Sequence, residues 1–96
     1  MNKETKQLSL KQLQEILGVG KSISHDLWDL GIRCVADLKG RDPERLYEKR
    51  CAQVGTRIDP CLLYVFRGAV YYASHTRHDP ELLKWWNWKE RPFTRR

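Results

Sequence analysis

The stretch at residues 15–27, EILGVGKSISHDL, decides the fold, because the GVGKS within it is compatible with two different structures. The first is the phosphate-binding loop of nucleotide-binding proteins, which needs G-x-x-x-x-G-K-[ST] between a strand and a helix. Glu15 stands where the first glycine of that loop should be, and its carboxylate would repel a phosphate group. An amphipathic helix, rather than a strand, precedes the glycines. The sequence therefore excludes this kind of loop.

The second structure is a pair of helices joined by a tight turn, the helix-hairpin-helix motif. The first helix is expected to begin at Ser9, which has capping-box spacing to Gln12, and to end at Gly18. The second is expected to run from about Lys21 and to be closed by Gly31. The apolar residues expected on the two helices are Leu10, Leu13, Ile16 and Leu17 on the first, and Ile23, Leu27, Trp28 and Leu30 on the second.

The turn between these helices predicts a site for phosphate. Gly18 and Gly20 tolerate the backbone conformations that a tight turn requires, and Val19 is expected to fill the space between the helices. Backbone N–H groups at the start of the second helix would be free, and the helix dipole there favours an anion. Lys21 and the Ser22 hydroxyl would add contacts. Such a site positions nucleic acid without reading its sequence.

Downstream, glycine and three Asp-Pro pairs divide the chain into further helices. A short helix is expected around residues 35–39, before Gly40. Each Asp-Pro pair places an acceptor before a proline, which predicts helices at about 43–53, 60–74 and 80–88. The helix 60–74 is apolar nearly all round except at Arg67 and Ser74, as a central helix should be. Gly68 and Ala69 would let a neighbour cross close to it. The sequence therefore predicts an all-α fold with about six helices.

A chain of 96 residues can bury a core of its own, so one compact domain is expected. We expect an N-terminal arm at residues 1–8, a helical domain at 9–90 and a basic tail at 91–96. Within the domain, the hairpin would occupy residues 10–30, a second hairpin-like unit 33–54, the central helix 60–74 and a Trp-rich helix 80–88. The start has no apolar signal-peptide core, and the longest apolar run, CLLYVF, is too short to span a bilayer. A cytoplasmic location is expected.

The cysteine and histidine spacing argues against a metal site. Cys34, Cys51 and Cys61 are odd in number, and no Cys-x-x-Cys or His-x(3–5)-His pair is present. We expect reduced, buried thiols and no metal. His25 and Asp26 are adjacent on one helix, where side chains diverge by about 100° and form no catalytic relay. His25 is expected to be a surface residue near the hairpin, and the protein is not expected to be an enzyme.

The net charge of +6 lies entirely in the second half of the chain. Residues 1–48 contain eight basic and eight acidic residues, whereas residues 49–96 contain ten and four. Part of this excess lies in residues 84–96, KWWNWKERPFTRR. This segment predicts a stacking platform for single-stranded nucleic acid or, as the favoured interpretation, a helix that docks Trp85 and Trp88 on the core. Trp86 would then be half exposed.

The segments LQEILGVGKSISHDLWDLGIRCVADLKGRDPERLYEKRC, DPCLLYVFRGAVYYAS and ELLKWWNWKE resemble the small bacterial pathogenicity-locus family of helix-hairpin-helix proteins, over roughly residues 8–90. Some members of this family are labelled as mitomycin resistance proteins. GIRCVADLKG is also similar to the degenerate second half of tandem hairpin modules, which occur in DNA-repair proteins, TfoX-type competence regulators and RNA polymerase α subunits. That similarity implies a second hairpin at residues 39–42.

The sequence departs from the common hairpin pattern at three positions. Lys21 and Ser22 replace the usual proline and lysine, and Ser24 replaces the usual alanine. Some related hairpins hold a monovalent cation on the carbonyl groups of the turn, and the sequence leaves open whether residues 17–20 do so. No other cofactor is expected.

The favoured function is sequence-independent binding of DNA, most simply duplex DNA, in DNA repair or stress resistance. The alternative is a protein-interaction module on the same scaffold, without significant DNA affinity. Neither function involves a membrane. The expected DNA-binding residues are Gly18, Val19, Gly20, Lys21, Ser22, Lys39, Gly40 and Arg41. Secondary nucleic-acid contacts are expected at Lys84, Trp86, Lys89, Arg91, Arg95 and Arg96.

Overall fold

The computed structural model describes residues 3–89, and their side chains from residue 5 onward. This range contains four α-helices, namely α1 (Lys3–Leu13), α2 (Lys21–Asp29), α3 (Pro43–Val54) and α4 (Cys61–Ser74). Three short 3-10 helices complete it, at Val35–Leu38, Pro80–Leu83 and Trp85–Trp88. None of these described residues lies in a strand. The all-α class predicted from the sequence is confirmed.

Helix α1 begins and ends earlier than the sequence predicted. Ser9 lies inside the helix rather than at its start, because the preceding residues KETKQ include several good helix formers that extend it backwards. The helix ends at Leu13 rather than at Gly18, and tighter turns follow. Those turns bury Ile16 but leave Leu17 55% exposed, so Leu17 does not join the apolar stripe. Their backbone bonds run from the amide of Glu15 to the carbonyl of Gln12, from Ile16 to Leu13, and from Val19 to Ile16.

Each Asp-Pro pair opens a helix, as predicted. The aspartate carboxylate accepts the backbone amide two residues ahead in all three cases, which satisfies one of the free N–H groups at a helix start. Asp42 accepts the amide of Glu44 at 3.0 Å, Asp59 that of Cys61 at 2.9 Å, and Asp79 that of Glu81 at 2.9 Å. The third pair differs in that it opens a 3-10 helix instead of an α-helix.

Helix α4 lies at the centre of the core. Phe66, Ala69 and Val70 are completely buried, and α4 packs against α3 and all three 3-10 helices. A β-carbon built on Gly68 would lie 3.5 Å from the indole of Trp88, so the predicted close approach at Gly68 is confirmed. The central position predicted for this helix from its apolar surface is likewise confirmed.

The predicted Trp-rich helix 80–88 is wrong in form, because two 3-10 helices flank an extended residue, Lys84. The indole Nε1 of Trp88 donates to the carbonyl of Leu82 at 2.8 Å, which holds the two 3-10 helices together. Arg67 donates to the carbonyl of Trp88 at 2.7 Å and pairs with Glu44 of α3 at 3.0 Å. These bonds fold the segment back over α4, which a straight helix would not allow.

The exposure of the three cysteines tests the prediction of buried thiols. Cys34 and Cys51 are half-buried, but Cys61 is exposed, so the prediction of a buried thiol is wrong at that position. Cys61 is the first residue of α4, where its side chain lies outside the core.

Within the described range, every helix is too short or too polar to cross a bilayer.

Candidate nucleic-acid interface

The turn that joins α1 to α2 depends on one glycine for its backbone conformation. Gly18 has a φ of +93°, which side-chain-bearing residues rarely adopt. Gly20 has an extended backbone, with φ −90° and ψ −169°, and forms the N-cap of α2. Val19 is 4% exposed and joins the same core cluster as Leu13 and Leu27. It is therefore a buried core residue, in agreement with its predicted place between the helices.

A hydrogen bond to Ser24 of α2 joins that helix to the residues just after α1. The Ser24 side chain is completely buried, and its hydroxyl donates to the carbonyl of Lys21 at 2.7 Å. The same hydroxyl accepts a hydrogen bond from the side-chain amide of Gln14 at 3.3 Å. Because the buried hydroxyl is satisfied both as donor and as acceptor, serine is tolerated where related hairpins have alanine.

The first turn of α2 has backbone N–H groups that nothing in the described chain occupies. Gly20 has no side chain with which to cap the helix, and the first turn contains no acidic residue. The amides of Lys21, Ser22 and Ile23 donate to no acceptor among the residues that the structure describes. Gly20, Lys21 and Ser22 are exposed. The unpaired amides and the helix dipole thus favour an anion at this position.

The expected second hairpin, at residues 39–42, uses three of its four amides within the protein. Gly40 has a φ of +73°, and its N–H donates to the hydroxyl of Ser74 at 3.1 Å. The amide of Arg41 donates to a backbone carbonyl at 3.1 Å, and Asp42 caps the start of α3. The exposed side chains of Lys39 and Arg41, and the single amide of Asp42, are left to contact an anion there. The two hairpin-like units therefore differ in chemistry.

Lys21 near the first turn and Arg41 near the second unit line different surface grooves. Lys21 shares a groove between α1 and α2 with Lys11 and His25. Arg41 lines a groove along the first half of α3, and Lys39 lines neither groove. The four-residue spacing of Lys21 and His25 is the sequence signal that could have placed His25 in this site.

The Trp-rich segment packs against the turn between α1 and α2. Trp88 is 4% exposed, Trp85 packs against the core, and Trp86 is 54% exposed, so the favoured docking interpretation is confirmed. A β-carbon on Gly18 would lie 3.0 Å from Cδ1 of Trp85. The ring of Trp86 stands edge-on to that of Trp85, with centroids 5.8 Å apart. The exposed indole is therefore only one ring away from the turn.

The remaining residues that the sequence predicted as nucleic-acid contacts differ in how much unpaired positive charge they offer. Lys84 is partly neutralised by an ion pair with Glu81 at 2.9 Å, whereas Lys89 is exposed. The expected contacts at Arg91, Arg95 and Arg96 lie outside the residues that the structure describes.

The described residues show neither a metal cluster nor a serine–histidine pair in the hairpin. No three histidine, cysteine or acidic side chains in the described range converge on a point that could hold a metal ion. The Ser24 hydroxyl bonds to a backbone carbonyl instead of to His25. The carbonyls of residues 17, 18 and 19 accept no backbone amide from a described residue, so these oxygens are the ones that a monovalent cation on the turn would use.

The described residues form a small all-α domain, with a glycine turn between α1 and α2 and a Trp-rich segment folded over α4. The chain belongs to the pathogenicity locus family, Cdd1, whose model matches residues 6–92. It is also 37% identical over 76 residues to the mitomycin resistance protein McrB of Streptomyces lavendulae, an alignment that covers 79% of this chain and 69% of the relative. No solved structure matches it. The family resemblance seen in the sequence is confirmed.

Proposed function

We propose that this protein binds DNA without sequence preference, through a helix-hairpin-helix formed by α1, the turn and α2. The observation that carries the proposal is the uncapped first turn of α2, where three amides without a described acceptor lie beside exposed Lys21 and Ser22. Amides and lysines of this kind contact phosphate oxygens, which are the same for every base pair.

The helix-hairpin-helix assignment has three supports in the turn. Gly18 takes the positive φ, Val19 is buried, and Ser24 supplies a small buried side chain on α2. In this proposal the second unit, from the 3-10 helix Val35–Leu38 into α3, contributes mainly the side chains of Lys39 and Arg41, because the amides of residues 39–41 are already bonded.

Part of the negative charge that balances the first half of the chain is paired with a cation from the second half. Asp26 and Asp29 of α2 pair with Arg50 of α3, at 2.9 and 3.1 Å. Two of the acidic residues that balance the first half are therefore matched by a cation from the second half. With about four phosphate contacts, we expect salt-sensitive binding with a Kd on the order of 10⁻⁴–10⁻⁶ M.

We further propose that the protein acts by binding and not by catalysis. The name of its relative, mitomycin resistance protein, favours a role in stress resistance for this chain as well. A protein that binds chromosomal DNA would work in the cytoplasm.

The test is fluorescence anisotropy of labelled duplex and single-stranded DNA, titrated with the protein at about 50 and 200 mM salt. We expect Lys21→Glu to weaken duplex binding and to lower the slope of log K against log salt by about one. Arg77→Glu, in the loop after α4, is the control of equal charge change. Duplex binding that Lys21→Glu leaves unchanged would remove the first hairpin from the interface.

A second candidate function, docking of a protein partner, is favoured by exposed apolar side chains. Leu8, Leu17 and Trp86 are 69%, 55% and 54% exposed. If neither duplex nor single-stranded DNA binds at tens of micromolar protein in low salt, this function becomes the leading one. A partner recovered with the wild-type chain and lost with Trp86→Ala would then place the contact.

A further inference from the structure

A groove of about 630 Å³ runs between α1 and α2, and Lys21 forms part of its wall. Its other polar residues are Gln7 and Lys11 of α1, Gln14 just after α1, and His25 of α2. Leu8 and Leu10 form the apolar part of its wall. No aspartate or glutamate lines it. The groove thus joins the first turn of α2 to a surface that offers hydrogen-bond donors and positive charge.

The positive charges of this groove are not neutralised by the described part of the protein. None of the ion pairs between described residues involves Lys11, Lys21 or His25. The acidic residues of α2, Asp26 and Asp29, are turned to Arg50 on α3. A groove that gathers cations without a counterion is suited to an anionic ligand.

The spacing of these side chains favours an extended anion over a single one. Lys21 and His25 lie on the same side of α2 and are separated by about 6 Å along its axis. That distance is similar to the separation of successive phosphates on one nucleic-acid strand. Gln7, Lys11 and Gln14 line the opposite wall, where amide and ammonium groups donate to phosphate oxygens.

We propose that this groove holds the phosphate backbone of the DNA strand that contacts the turn, with Lys11 and His25 as binding residues in addition to Lys21. This inference rests on the proposed function, but it does not depend on the amides of α2. An acidic protein segment would match the same charges. The continuity of the groove with the glycine turn favours nucleic acid.

The presence of His25 makes the binding dependent on pH. The charged groups that share the groove with it are Lys21 on its own helix and Lys11 on α1, while the neighbouring Asp26 is paired with Arg50. A charged imidazole attracts phosphate and a neutral one does not, so affinity for DNA should be higher at about pH 6 than at about pH 8.

The experiment measures anisotropy of a labelled duplex at both pH values over a range of salt, with wild type, Lys11→Gln, His25→Gln and Lys21→Glu. Lys11→Gln removes one charge but keeps a good helix former, and circular dichroism checks that each variant folds. We expect Lys11→Gln to weaken binding several-fold and to lower the salt slope by about 0.9. His25→Gln should bind as wild type does at the higher pH and lose most of the gain at the lower pH. Arg77→Glu and His75→Gln are the controls outside the groove.

The outcomes separate this inference from the proposed function. If Lys21→Glu weakens binding while Lys11→Gln and His25→Gln match wild type at both pH values, the groove is not used and the hairpin proposal stands. If no variant changes the binding, or no duplex binds, both are overturned. Binding of labelled poly-L-glutamate, lost with Lys11→Gln, in a protein that does not bind duplex would overturn the inference in favour of an acidic protein partner.

Discussion

Trp85 packs directly against Gly18, and its Cδ1 atom lies 3.0 Å from the position that a β-carbon on Gly18 would occupy. The contact joins the turn between α1 and α2 to the 3-10 helix Trp85–Trp88 near the other end of the chain. The turn is therefore shaped by two constraints, the positive φ of Gly18 and the indole packed against it. The Trp-rich segment therefore helps to fix the backbone of the turn between α1 and α2.

Alanine at Gly18 is expected to destabilise the protein more than alanine at Gly31. The two glycines have φ values of +93° and +89°, so the backbone strain, roughly 1–2 kcal/mol, should be similar. A β-carbon on Gly31 meets no atom within 4 Å, whereas one on Gly18 meets Trp85. Urea denaturation of both variants measures the difference. Equal losses would mean that the indole moves aside at no cost.

Replacement by alanine should destabilise the protein far more at Trp88 than at Trp86. Trp88 is 4% exposed, and its loss should cost about 3–5 kcal/mol. Trp86 is 54% exposed, and its loss should change the free energy of unfolding by no more than about 0.5 kcal/mol. Urea denaturation tests both values. A large loss for Trp86→Ala would show that its exposed ring stabilises the fold, contrary to its position.

Arg67 should contribute more to stability than the carboxylate with which it pairs. Its side chain is 13% exposed and donates both to Glu44 and to the backbone carbonyl of Trp88. Arg67→Met removes both the bond to that carbonyl and the bond to the Glu44 carboxylate, at a cost of about 1–3 kcal/mol. Glu44→Gln loses only a charge that is 42% exposed, so we expect less than about 1 kcal/mol. Denaturant midpoints give the order, and the reverse order would contradict it.

The parts of the fold that could be predicted depend on contacts between residues that are close together in the sequence. The helix starts after Asp42, Asp59 and Asp79 follow from a side-chain acceptor and a fixed proline φ, both readable in the sequence. The break at Lys84 could not be read in this way. It depends on Trp88 reaching the carbonyl of Leu82 and on the donor from Arg67 of α4, which are contacts between different elements.

The same distinction applies to the candidate site. The strained glycine and the buried valine of the turn are local features, and the sequence predicted both. The difference between the two hairpin-like units could not be predicted, because the Gly40 amide is bonded to Ser74, far along the chain. The place of His25 beside Lys11 and Lys21 was missed for a similar reason, since it needs the packing of α1 on α2.

The carboxylate of Asp37, in the 3-10 helix Val35–Leu38, should make the free energy of unfolding depend on pH in the acid range. The amide N–H of Arg33 donates to Asp37 Oδ2 at 2.9 Å and is the main cause that lowers the pKa of this carboxyl. Smaller contributions to the lower pKa come from Cys34 and the charge of Arg41. A group whose pKa is lower in the folded state stabilises the protein above its unfolded pKa. That contribution is lost as the pH falls through the folded value.

Asp37→Asn should therefore destabilise the protein near neutral pH, and its difference from wild type should shrink below about pH 4. Urea midpoints of both proteins between about pH 7 and pH 2.5 measure this difference. Glu48→Gln is the control, because it removes an exposed carboxylate that accepts no hydrogen bond from a described residue. A gap between Asp37→Asn and wild type that stayed constant down to the lowest pH would show that the bond from Arg33 does not stabilise the ionised carboxylate.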